Sequence, residues 1–260
     1  MWLLCGHMVK QIWKKGGKWL LSIPLVVALL SILWRGSRSI YAQRAGGFLP
    51  YQDMVDYSLT PLLFWVGLFG LLGVVFLHYR QYHTKSNGMI TFLTLPLSSK
   101  EIMLGLVLPA VIWIFLYYAV WFVALIVWYV PATKFAAHVA MQQEFWIDGK
   151  EIIAGVDPQI HNGLYLAFRR GIFLSNLFAL QDMFVLGDTL LLRMFCLSSM
   201  AVCTVSVGIM PKKQWFWLIC LYPLSVINML FPSILELFFF LYITIKVMTD
   251  FYEYIKYPKG

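Results

Sequence analysis

A chain of 260 residues that is 61% hydrophobic, 17% aromatic and only 12% charged cannot confine its apolar side chains to one water-soluble core, because the surface of such a domain would itself be apolar. The net charge of +8 is dispersed between apolar runs rather than gathered on one soluble face, which argues against a nucleic-acid partner. Lipid is left as the solvent for most of the chain.

Bilayer hydrocarbon is about 30 Å thick and a helix rises about 1.5 Å per residue, so a span needs roughly twenty apolar residues. Six runs qualify, at 19–34, 61–78, 102–130, 188–210, 215–231 and 233–250. None alternates as the strands of a membrane barrel would. The expected fold is therefore an all-α membrane protein of six transmembrane helices, with residues 1–260 forming a single transmembrane domain. No small-residue cleavage site follows the first run, which reads as a retained span.

Ahead of that span, in MVKQIWKKGGKW, Lys10, Lys14 and Lys18 recur every four residues while Val9, Ile12 and Trp13 fall on another face. This is the pattern of an amino-terminal helix lying in the membrane interface; the alternative is a plain basic flank. Trp19 and Trp34 bracket the first span at headgroup level. Residues 35–60 are polar, contain Gly46, Gly47 and Pro50, and read as an irregular outer loop. In the second span Gly67, Gly70 and Gly73 form a face that another helix can approach closely.

The stretch between the second and third spans is polar and basic at first (YRQYHTKSNG) and then apolar (MITFLTLPL). It ends at Ser98-Ser99-Lys100-Glu101, where Ser98 and Glu101 have the spacing of a capping box and mark a helix start. The apolar piece is too short to span, so it is expected to pack beneath the bundle or against a cytoplasmic partner. Pro109 is expected to kink the long third span. In the outer insertion, 131–187, FWIDGKEII carries an Asp148-Gly149 hairpin signal. LYLAFRRGIFLSNLFAL, interrupted by Arg169 and Arg170, reads as a helix resting on the outer leaflet. Three closely spaced spans complete the chain.

With the amino terminus inside, twelve of the lysines and arginines fall on inner segments and eight on outer ones, which supports both termini in the cytoplasm of a multi-pass protein of the cell membrane. Cys5, Cys196, Cys203 and Cys220 have no metal-ligand spacing and read as buried thiols.

The chain has no GxxxxGK[ST] loop for nucleotide phosphates, and no HExxH or GxSxG motif; it is not expected to be an enzyme. Charges at membrane depth are costly and mark either function or structural pairing. Glu236 and Arg193, each about one turn into a span, are candidates for a gate or substrate path, with snorkelling or mutual pairing as the alternative. Ser199 and Ser206, on a small and weakly polar face of the fourth span, are candidate lining residues whose default role is helix packing.

Six spans, both termini inside, an interfacial amino-terminal helix and the inner run NGMITFLTLPLSSKEIMLG resemble the permease subunit of a type-2 ABC exporter, in which a stretch resembling Leu-x-x-Leu-Pro-[Leu/Val/Ile]-Ser-[Arg/Lys]-x-Glu-Ile leads into the third span; Leu93 to Ile102 carry the match. The resemblance implies a chain that pairs with a second permease, as a homodimer or heterodimer, and with separate ABC ATPase subunits that bind ATP and Mg, so that this chain needs no cofactor. It implies that Met89, Ile90, Phe92, Leu93, Leu95, Leu97 and Glu101 couple the permease to the ATPase, and that a peptide, lipid-like molecule or drug is exported, in a bacterial cell membrane, by alternating access. Two features depart from the family plan: only a turn at Pro232 precedes the last span, and the outer insertion is large. The competing expectation is a non-transporting membrane protein, such as an immunity or assembly factor, which the absence of an ATPase partner would favour.

Overall fold

The computed structural model describes residues 1–37, 50–84, 92, 94–141, 145–147, 150–152, 163–178, 186–210, 223 and 234–257. Within these the protein is predominantly helical: α1 (Trp2–Ile12), a π-helical turn (Trp13–Gly17), α2 (Lys18–Ser37), α3 (Tyr51–Asp56), α4 (Thr60–Thr84), α5 (Ser99–Met141), α6 (Leu164–Arg170), α7 (Ile172–Phe178), α8 (Leu186–Ile209) and α9 (Ile234–Lys256). Two three-residue strands, β1 (Phe145–Ile147) and β2 (Lys150–Ile152), pair antiparallel with Phe145 opposite Ile152. They flank Asp148-Gly149, which lies outside the described residues.

Three helical stretches are long and apolar enough to cross a membrane: Trp2–Ser37, Thr60–Tyr82 and Ser99–Ala136. Arg193–Ile209 is a shorter apolar helix. The last expected run, 233–250, falls largely within α9, which is not one of these three stretches, and the expected span at 215–231 lies outside the described residues apart from Pro223. The third stretch exceeds the expected 102–130: α5 continues through Pro109 and Pro131 as one helix of 43 residues. Ala132, Ala136, Ala137 and Ala140 explain the carboxy-terminal extension, since alanine has the highest helix propensity.

The chain divides into two compact units. The first comprises residues 1–21, 67–118 and 187–260. Its core holds Met8 and Ile12 of α1, Leu72, Val75 and Tyr79 of α4, Trp113, Ile114 and Tyr117 of α5, and Phe240, Ile243, Val247 and Phe251 of α9. Cys5, Met8 and Ile12, spaced three and four apart, form the buried stripe of α1. At the elbow between α1 and α2, Gly16 has φ +129°, a region in which a Cβ is strained. Close approach is visible at Gly105, where a Cβ would stand 2.9 Å from Leu4 Cδ2, and at Gly208, where it would stand 2.9 Å from Tyr79 Cβ. In the expected glycine face of the second span, a Cβ at Gly70 would stand 2.9 Å from Leu20 Cδ2, while a Cβ at Gly73 would enter open space.

The second unit comprises residues 22–66 and 119–186. The polar loop expected from residue 35 to 60 contains α3, whose Tyr51, Met54 and Val55 are buried. The Tyr51 hydroxyl donates to the Leu125 carbonyl at 2.7 Å, and its ring meets Tyr129 edge-on. LYLAFRRGIFLSNLF is two short helices rather than one. The break falls at Gly171, where a Cβ would stand 2.8 Å from the Ala167 carbonyl and 3.2 Å from Gln52 Cβ. Asp56, at the end of α3, accepts the Ile172 amide at 2.6 Å and the Phe173 amide at 2.9 Å, and so supplies the cap that α7 lacks in its own sequence. Phe64 packs edge-on against both Trp121 and Phe173. Burial pushes the Asp56 carboxyl above its ordinary value; the two amides pull it back, and Asp53 adds to the rise. Asp53 is also raised by burial, with Arg35 opposing.

Candidate functional site

The stretch leading into α5 begins with a capping box. The Ser98 amide and hydroxyl both donate to Glu101 Oε2 at 2.9 Å, the Glu101 amide donates to Ser98 Oγ at 3.4 Å, and the Ile102 amide donates to the Ser98 carbonyl at 3.0 Å. These bonds satisfy amides that the first helical turn leaves without intrahelical acceptors. Just upstream the chain is compact: the Leu97 amide donates to the Leu95 carbonyl at 2.7 Å, and the Leu95 amide to the Phe92 carbonyl at 3.3 Å.

Of the residues that the family resemblance assigns to coupling, Leu95 and Glu101 are exposed, Leu97 is half-buried, and Phe92 is buried. Met89, Ile90 and Leu93 lie outside the described residues. Phe92 is turned inward onto Tyr82, with ring centroids 5.0 Å apart.

Tyr82 joins this segment to the amino-terminal helix. Its hydroxyl donates to Gln11 Oε1 at 3.2 Å and lies 3.9 Å from Met8 Sδ. His78, one turn earlier on α4, stacks edge-on against Tyr82 and places Nε2 3.3 Å from the same sulfur. The Tyr79 hydroxyl donates to the Leu106 carbonyl of α5. Farther along α5, the Trp113 indole donates to the Val9 carbonyl at 3.2 Å and stacks on Trp13 at 5.6 Å. Beside the elbow, Lys15 donates to Gln81 of α4. The first half of α5, the end of α4 and the second half of α1 are thus held together through Met8, Val9 and Gln11, with Trp13 and Lys15 of the π-helical turn adding to the clamp. The basic periodicity gave no sign of this clamp. Its only sequence signal is the Cys5-Met8-Ile12 stripe opposite the lysines.

Among the described candidate gate residues, Arg193, Ser199 and Ser206 are each buried within the helices. Arg193 is 2% exposed and interacts electrostatically with Tyr118 of α5. Ser199 and Ser206 are fully buried. Ser199 Oγ lies 2.9 Å from the Phe195 carbonyl and 2.7 Å from Thr244 Oγ1 of α9, and the Ser206 hydroxyl donates to the Val202 carbonyl at 2.8 Å. These contacts suit helix packing and leave the hydroxyls already bonded within the protein. Glu236 sits in the first turn of α9, but its side chain lies outside the described residues. Cys5, Cys196 and Cys203 are buried and outside any disulfide, and among the described residues no group of His, Cys, Asp and Glu could hold a metal ion.

The fold thus defines a helical chain with three helices long and apolar enough to cross a membrane. No family model, curated protein or solved structure matches it.

Proposed function

We propose that this chain is the transmembrane permease subunit of an ABC exporter, a six-span protein of the cell membrane with both termini in the cytoplasm and the β1–β2 pair on the outer side. A separate ATPase subunit supplies the energy for moving an amphipathic or hydrophobic substrate outward. The reading rests on one observation: the stretch 94–97 presents Leu95 to solvent and is continuous, through the Ser98–Glu101 capping box, with the longest apolar helix among the described residues. An exposed apolar side chain on a short ordered segment, at the base of a helix stiff enough to carry a displacement, fits a site that receives force from a partner.

Affinity purification of the full chain from its native membranes, followed by identification of bound proteins, tests this. The expected result is an ATPase subunit that co-purifies with the wild type and is lost with Leu95→Asp, a change at a surface position that leaves the fold intact. Phe92→Asp is the poorer test, because Phe92 is packed on Tyr82. Absence of any ATPase, or equal recovery with Leu95→Asp, overturns the proposal and favours a non-transporting membrane protein.

A further inference from the structure

His7, Lys10, Gln11, Lys14 and Lys15 line an open cleft of about 310 Å³. None of the five is acidic, and three carry lysine ammonium groups. Two features separate this cleft from an ordinary solvated basic face. First, part of its lining is held in place: Lys15 donates to Gln81, while Gln11 is fixed by the Tyr82 hydroxyl on one side and bonds the His7 ring at 2.6 Å on the other. Second, the chain around the cleft exposes large apolar side chains. Trp2 is 72% exposed, Leu3 92%, Trp13 45% and Trp19 59%. A helix with lysines along one side and exposed tryptophan and leucine elsewhere has the chemistry of a segment seated at the headgroup level of a bilayer. The elbow at Gly16 joins it directly to an apolar helix long enough to enter the hydrocarbon.

We infer that this cleft binds the phosphate-bearing headgroup of an anionic membrane lipid. Lysine binds phosphate as a compact point charge with three donors. Lys10 and Lys14 supply two such charges one helical turn apart, and Lys15, beyond the start of the π-helical turn, supplies a third. Acyl chains below the headgroup would lie against the exposed tryptophans. The inference rests on the chain lying in a membrane and not on any ATPase, so its failure would leave the permease reading untouched.

The test uses the full purified chain in detergent, with native mass spectrometry counting retained dioleoyl phosphatidylglycerol against dioleoyl phosphatidylcholine. The double variant K10Q/K14Q is compared with K246Q/K256Q, which removes the same charge from exposed positions elsewhere. Lys10 and Lys14 are exposed, so the variant folds. The expected result is a preference for phosphatidylglycerol in the wild type that drops on the order of thirtyfold in K10Q/K14Q, from two lysines at a charged surface, and is unchanged in K246Q/K256Q. No preference in the wild type, or equal losses in both variants, overturns the inference. Displacement of the lipid by an equal concentration of inorganic phosphate assigns the cleft to a free anion and overturns the lipid assignment.

Discussion

Replacing Asp56 with alanine should release α7 from the second unit. The carboxylate accepts two backbone amides, from Ile172 at 2.6 Å and Phe173 at 2.9 Å. Hydrogen bonds to a charged group contribute about 1.5–3 kcal/mol each, and loss of a helix cap costs about 0.5–2 kcal/mol. The two amides do not count equally. Ile172 is 67% exposed, so water can take over its bond, whereas Phe173 is 9% exposed and its amide would be left poorly satisfied. One bond fully lost and one largely replaced gives about 2 kcal/mol. Hydrogen exchange read by mass spectrometry over residues 164–178 should then accelerate on the order of thirtyfold. Burial raises the Asp56 pKa despite the amides, so the proton-linked part of its contribution is fully present below the ordinary carboxylate value and is lost as pH rises through the raised one, while the hydrogen bonds to the two amides remain. Protection of the wild type relative to Asp56→Asn should accordingly be greatest at acid pH and decline toward neutrality. Unchanged exchange in Asp56→Ala would refute the cap; a protection ratio that grew with pH would refute the dominance of burial.

Gly16→Ala forces an L side chain into φ +129° and should cost about 1–2 kcal/mol, seen as a lower detergent melting temperature and faster proteolysis around residues 10–20. Ser98→Ala removes the hydroxyl that meets both the Glu101 amide and its carboxylate; about 1 kcal/mol of helix-start stability should go, read as faster exchange of the amides at 99–101 while the middle of α5 stays protected. Gly208→Ala places a methyl 2.9 Å from Tyr79 Cβ and 3.3 Å from the Phe76 carbonyl; because backbone and a Cβ cannot move aside cheaply, about 1–3 kcal/mol should be lost, measured by thermal denaturation of the purified chain.

Much of the helical framework could be read from the sequence, because a run such as IMLGLVLPAVIWIFLYYAVWFVALIVWYV admits few other structures. The start of α5 was equally legible: a serine followed three residues later by glutamate, before an apolar run, is a local signal that depends on nothing distant. What stayed hidden depends on contacts between segments far apart in the chain. A six-residue helix, α3, offers only Tyr51, Met54 and Val55 as its pattern, too short a window to show a period. The break between α6 and α7 is fixed by the Ala167 carbonyl and Gln52 crowding Gly171, and its cap comes from Asp56, more than a hundred residues upstream. At Pro109 the helix continues: α5 runs as one element from Ser99 to Met141 across both prolines, because a proline removes a single amide bond and leaves the flanking turns hydrogen-bonded. Among the candidate site residues, hydroxyls on the fourth span were visible as a face, yet sequence gave no way to tell that Ser199 would be bonded toward Thr244.

The amino-terminal helix is more than a flank of the first span. If the LTLPL segment is pushed, Phe92 cannot shift without moving Tyr82, and the Tyr82 hydroxyl is bonded to Gln11. Met8 lies against both Tyr82 and His78, so α1 must follow. The movement then reaches α5 a second time, well above its start, through Val9 and Trp113 and through Trp13 stacked on the same indole. A load applied at Leu95 would therefore enter α5 at two places along its length, at the capped end and at Trp113, and a helix held at two points tilts as a rod instead of bending at its first turn. Under the proposed function this makes α1 part of the transmission, and it gives a physical reason for a glycine with positive φ directly after it: the elbow at Gly16 lets α1 stay with α4 and α5 while the chain turns into α2.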